Sequence, residues 1–164
     1  MKTVFVSLLL VLGFYTTKAQ FTYAEVGVNG LTCSQCSRNV EMSIRKLPFV
    51  KDVEMNLAHT EGKIFFVKSD KVDMDKIAQA VRDAGFSVRY LKAGFVFGKI
   101  TGSCFTYQGD TYSMVHAPAN MPESAATITF IGSAYQARKD FKKWQTQLGD
   151  GCKGKEGKLY YITL

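Results

Sequence analysis

Two apolar stripes of helical period, separated by two alternating runs, constrain this chain more than any other feature. Cys36, Val40, Ile44 and Leu47 recur at helical intervals before Pro48 stops the first helix. Met74, Ile77, Val81 and Ala84 form the second stripe, with Asp73 as its cap and Gly85 where a left-handed terminal turn is expected. Between them Val53, Met55 and Leu57 alternate with polar residues, Thr60-Glu61-Gly62 is expected to turn the chain, and Ile64 to Val67 forms the partner strand. A strand from Phe21 to Asn29 precedes the first helix, and another from Phe86 to Leu91 follows the second. The order strand, helix, strand, strand, helix, strand is the split βαβ plan of ferredoxin-like folds.

That plan is complete by residue 92, so the expected division is a ferredoxin-like domain over 20–92 and a second unit over 93–164. In the second unit, strands are expected at Phe95 to Tyr107, Thr111 to Ala117, Ala126 to Ile131 and Lys158 to Leu164. Gln108-Gly109-Asp110 makes a hairpin turn. A helix carries Ala134, Ala137, Phe141, Trp144 and Leu148 on one face. The fold class is α+β: a ferredoxin-like βαββαβ domain followed by a small, mostly antiparallel sheet or partly open barrel with one helix. A hydrophobic fraction of 46% against 21% charged residues supports a buried core.

Residues 1–19, "MKTVFVSLLLVLGFYTTKA", carry a basic residue, an apolar run too short to span a bilayer, and small residues at Thr17 and Ala19. They read as a secretory signal cut after Ala19, leaving a periplasmic or secreted protein without stable membrane insertion. Cleavage removes Lys2 and Lys18, which takes the formal charge from +7 to +5. Export and the absence of a long basic block make nucleic acid a poor partner.

An exported chain meets oxidising conditions, so its four cysteines divide by spacing. Cys104 and Cys152 bracket most of the second half and are expected to form a structural disulfide. Cys33 and Cys36 lie in "NGLTCSQCSRNV", at a junction between strand and helix. Unpaired backbone N–H groups and the positive helix end favour thiolates there, and Arg38 is a nearby cation. These electrostatics serve a metal clamp or a redox dithiol equally. Ligand count separates them further. Zn(II) takes four ligands, whereas the neighbours here are Thr32, Ser34, Gln35 and Ser37, and the nearest acid, Glu41, lies elsewhere on the helix. Two soft thiolates without a hard oxygen suit a low-coordinate soft ion such as Cu(I).

The stretch "GLTCSQCSRNVEMSIRKLPFVKDVEMNLAHTEGKIFF" and the later "AVRDAGF" resemble the heavy-metal-associated domain, the module of copper chaperones, copper-transporting ATPase tails and the periplasmic mercury-binding protein. The resemblance covers Phe21 to Leu91. Gly30, Thr32, Cys33 and Cys36 match its Gly-Met-Thr-Cys-x-x-Cys motif, with Leu31 in place of the Met. Phe86 occupies the family's position for an aromatic or lysine near the metal. The resemblance implies that Cys33 and Cys36 bind Cu(I) reversibly and pass it to a protein partner, with Hg(II) as an alternative cargo in a resistance setting; Zn(II) is a further candidate if Cys104 and Cys152 are free to add thiolates.

Other readings of the pair are an inert disulfide staple and a thiol-disulfide redox centre, although the motif lacks the aromatic and proline usual for the latter. Met114, His116 and Met121 in "SMVHAPANM" are soft ligand types for a second copper site, with packing as the blander account. His59 reads as solvated. Arg138, Lys139, Lys142 and Lys143 read as a solvated helix face or a docking patch for an acidic partner. No nucleophile elbow, phosphate loop or two-His metal motif is present, so a non-enzyme is expected.

Overall fold

The structure, a computed structural model, describes residues 20–68, 70–149, 152 and 157–164; the expected signal segment 1–19 lies outside the described residues. The first half follows the expected order: β1 (Gln20–Asn29), α1 (Ser34–Arg45), β2 (Val50–Asn56), β3 (Glu61–Phe66), α2 (Met74–Asp83) and β4 (Ser87–Val96). The second half adds β5 (Cys104–Tyr107), β6 (Asp110–Met114), β7 (Ala125–Ile131), α3 (Arg138–Trp144) and β8 (Leu159–Thr163).

Local chemistry sets both long helices. Val40 and Ile44 of α1, and Met74, Ile77, Ala78 and Val81 of α2, are buried in one core with Ala24, Val26, Ile64 and Leu91. The Asp73 carboxylate accepts from the N–H groups of Asp75 and Lys76, satisfying donors that the first turn leaves free. At the other end Gly85, with φ 88°, donates to the Arg82 carbonyl, and Phe86 donates to that of Val81. These crossed bonds form a Schellman termination, which requires the left-handed residue that glycine provides. The β2–β3 turn comes earlier than expected. Thr60, at φ 53°, closes it, and Glu61 and Gly62 belong to β3.

Eight strands form one sheet in the order β2-β3-β1-β4-β7-β8-β6-β5, of which β2-β3-β1-β4 is the ferredoxin-like arrangement. The division expected between residues 92 and 93 falls inside β4. This strand pairs with β1 from Ser87 to Val96 and with β7 from Lys92 to Val96, so its second half hydrogen-bonds on both sides. The only parallel pair among the described strands is β6 with β8; the sheet is open rather than closed into a barrel. The core is also continuous. Phe21 of β1 packs edge-on against Phe95 and Tyr107, with ring centroids 5.0 and 5.4 Å apart, and Tyr112 stacks on Phe105 and Tyr160. Edge-to-face and offset ring pairs stabilise beyond their buried area.

Two expectations for the second half need correction. The long strand from Phe95 to Tyr107 is the end of β4, a loop over 97–103 and the short β5. The expected helical face from Ala134 to Leu148 reduces to the seven-residue α3, which buries no residue. Gly132 to Gln136 instead forms turns whose Tyr135 enters the core against Phe130, with centroids 5.7 Å apart. Ala137 then donates its N–H to the Arg89 carbonyl, which holds this segment against β4.

Candidate metal centre

The β1–α1 junction is built from the backbone outward. Gly30 leaves β1 at φ 79°, Leu31 turns inward to 2% exposure, and Thr32 and Cys33 remain on the surface. Cys33 is the N-cap of α1. Its extended backbone places Sγ 3.1 Å from the Cys36 N–H, which donates to it, while the Cys33 carbonyl accepts from Ser37. A sulfur here occupies the position of an Asp or Ser capping oxygen, at the positive end of the helix. No acidic side chain lies in the first turn of α1 to oppose that field.

Cys36 is half-buried against the core, and Phe86, placed by the Schellman turn, is half-buried in the same cluster. In the structure Cys33 and Cys36 are joined as a disulfide, with Cα atoms 5.2 Å apart. That form offers no thiolate; reduction by two electrons gives two thiols at a helix start, which favours their ionisation. Arg38 is committed in part to Glu41 at 3.5 Å, and Glu41 also accepts from Arg45 at 2.7 Å, so the acid nearest in sequence is engaged by two arginines. Among the described residues no group of three or more His, Cys, Asp or Glu side chains is placed to hold a metal ion. A closed four-ligand site of structural zinc type therefore has no counterpart in the described part of one chain.

The other expected ligand types do not converge. Met114 is buried in the core and Met121 packs against it, whereas His116 lies beyond the end of β6 at φ 55° and bonds Gln147 at 2.6 Å. The strand expected from Thr111 to Ala117 ends at Met114, so His116 lies outside it. His59 is exposed in the β2–β3 turn. Cys104 and Cys152 are joined as a second disulfide, Cα atoms 5.8 Å apart, which ties β5 to the segment before β8.

The structure adds neighbours that sequence reading missed. Gln136, Ala137 and Arg138 reach the same end of the sheet as the cysteine loop, sharing a depression of about 290 Å³ with Asn29, Arg82 and Ser87. Arg82 donates to the Ala134 carbonyl at 3.3 Å, and Asn29 to Ser87 Oγ at 3.2 Å. The alternation of β7, which ends where this segment begins, was the only sequence signal that it would return there.

Fold and site together define a ferredoxin-like domain that displays a Cys-x-x-Cys loop at a helix start. Residues 25–87 match the family described as "Heavy-metal-associated domain", and this stretch is such a domain. Among curated proteins the chain is similar to "Copper-transporting ATPase 1" of Rhizobium meliloti (strain 1021), at 45% identity over 69 residues, 42% of this chain and 8% of that protein. It is also similar to "Cation-transporting ATPase HMA5" of Oryza sativa subsp. japonica, at 34% identity over 77 residues, 46% of this chain and 8% of that protein. The chain thus spans less than a tenth of the length of these two relatives. Among solved structures, oxidized MerP from Ralstonia metallidurans CH34 aligns at 27% identity and a TM-score of 0.38, covering 43% of this chain and 92% of that one.

Proposed function

We propose that the protein is an exported carrier of a soft metal ion, in which the reduced thiolates of Cys33 and Cys36 hold one Cu(I) and either pass it to a protein partner or sequester it. The observation that carries this reading is the placement of Cys33 Sγ as the cap of α1, 3.1 Å from the Cys36 N–H, with no third ligand group among the described residues. A bis-thiolate Cu(I) complex bears one net negative charge, which the helix start favours. Leu31 is buried in the core beneath the loop, and Phe86 and Cys36 both pack against that core; in this reading the two apolar residues keep the loop dry and in shape. The copper-transporting relatives support Cu(I) over Hg(II) and Zn(II) as cargo. Export through cleavage after Ala19 accounts for the second pair, Cys104 and Cys152, as a stabilising bridge. The protein performs no catalysis in this reading.

The bonded state of Cys33 and Cys36 favours a second reading, a thiol-disulfide redox protein. One experiment separates the two. Reduced protein titrated with Cu(I) and weighed by native mass spectrometry should take up one ion. A Cys33→Ser, Cys36→Ser variant that retains that stoichiometry removes the metal assignment, and turnover of a disulfide substrate by the wild type favours the second reading.

A further inference from the structure

The short helix α3 carries a charge pattern that the fold does not use. Arg138, Lys139, Lys142 and Lys143 are all exposed, and Asp140 is the one acid in the helix. At about 100° per residue the four cations fall within one arc of about 140°. Phe141 and Trp144 lie on either side of that arc, both half-buried. Lys143 bonds Asp140 at 2.9 Å, whereas Arg138, Lys139 and Lys142 form no ion pair with another described residue. Local energetics disfavour this arrangement. The cations at Arg138 and Lys139 oppose the positive start of the helix, and Arg138 with Lys142, and Lys139 with Lys143, are like charges one turn apart. The basic band continues past the helix, because Arg82 of α2 lines the same depression as Arg138, with no acidic residue in its wall.

We propose that this face adsorbs to an anionic phospholipid bilayer, with its cations against headgroup phosphates and Phe141 and Trp144 at the level of the interface. Two features favour a bilayer over an acidic protein. Three of the four cations on α3 are lysines, whose flexible point charges suit a fluid array of phosphates, whereas a fixed carboxylate is matched by the planar arginine fork. Aromatic rings beside a cationic arc are also the side chains that settle at the headgroup boundary. The depression between Arg82 and Arg138, of about 290 Å³, has room for one phosphate headgroup. A helix of seven residues is too short to span a bilayer, so it lies on the surface. The assignment does not depend on what Cys33 and Cys36 bind.

The test uses residues 20–164, which hold the whole described sheet and core, so the apolar run within 1–19 contributes nothing. Vesicles of equal parts phosphatidylglycerol and phosphatidylcholine should sediment the protein. Partitioning should be at least tenfold weaker on phosphatidylcholine alone and should fall as salt is raised. Trp144, the sole tryptophan, should shift its emission to the blue on the anionic vesicles. A Lys139→Glu, Lys142→Glu variant should partition at least tenfold more weakly at unchanged circular dichroism, and Lys139→Ala, Lys142→Ala several-fold more weakly. Lys51→Glu, Lys99→Glu makes the same change of net charge at two exposed lysines elsewhere and should lose less than threefold. Equal partitioning onto both kinds of vesicle, an equal loss in the two Glu variants, or an unshifted Trp144 emission on bound protein would each overturn the proposal. Polyglutamate binding as tight as that of the anionic vesicles would also overturn it and assign the face to an acidic protein.

Discussion

Lys158 Nζ lies 2.7 Å from Asp75 Oδ2, joining the start of β8 to the first turn of α2. The same ammonium reaches Asp73, the cap of α2, at 3.0 Å, and the Tyr135 hydroxyl donates to Asp75 Oδ1. The second half of the chain is thereby fastened to the helix that leads to Phe86.

The pH dependence of this contact follows from its signs. Burial pushes the Asp75 carboxyl up, but the Lys158 and Tyr135 bonds outweigh it and leave the pKa lowered. Burial pushes Lys158 down, but bonding to Asp75 and Asp73 outweighs it and leaves the pKa raised. The depressed acid contributes stability above the unfolded value of about 3.9, lost as pH falls through the folded value; the raised base contributes below about 10.4, lost as pH rises through its folded value. Lys158→Met should therefore cost about 0.5–1 kcal/mol, a figure discounted for a half-exposed ammonium, and the cost should stay flat from about pH 5 to about pH 9. Urea denaturation checks this; a cost undiminished near pH 2 contradicts it.

Gly94 lies under the Tyr23 ring, and Gly27 under that of Tyr90. A Cβ at either position would fall inside the ring's van der Waals radius. Neither ring can swing away freely, because Tyr23 bonds Thr127 and Tyr90 bonds Glu61. Gly94→Ala is expected to destabilise by about 1–3 kcal/mol through overpacking. An unchanged denaturation midpoint would show that the ring is free to move.

The Cys104–Cys152 bridge closes 48 residues of separation. The chain-entropy relation gives a loop of this length about 4 kcal/mol. A Cys104→Ala, Cys152→Ala variant should lose stability on that order while retaining the stoichiometry of metal uptake at Cys33 and Cys36. Calorimetry beside a Cu(I) titration tests both parts.

One sheet and one core across both halves imply one cooperative unit. Thermal unfolding should give a single transition, with calorimetric and van't Hoff enthalpies in agreement. Phe95→Ala, at the junction of the halves, should lower the whole transition by about 3–5 kcal/mol. Two resolved transitions, with only one shifted by the substitution, would show that the halves fold separately.

Much of the first half was legible because its signals are local. The stripes through Val40 and Ile44 and through Met74, Ile77 and Val81 name the buried faces, and Asp73 and Gly85 mark where α2 begins and ends. The cysteine loop was equally readable as a helix start, since a cap needs only neighbouring residues. The length of β4 was not, because Ala93 and Phe95 continue its alternation past the expected domain boundary and only pairing with β7 shows where it stops. The helix expected from Ala134 to Leu148 failed for a tertiary reason: burying Tyr135 against Phe130 outweighs the weak stripe around it. No local pattern could report the parallel pairing of β6 with β8, or the bond from the Ala137 N–H to the Arg89 carbonyl.

Because β7 occupies the outer ladder of β4 beyond Leu91, the chain completes its own sheet where a four-stranded unit would offer a long open strand. The edges that remain are poor templates for another copy. The β2 edge presents Lys51, Asp52 and Glu54, and β5 has only four residues, anchored at Cys104. Strand exchange between molecules is thereby discouraged at the folded surface itself, and the protein can stay crowded with its own kind without being drawn into fibres.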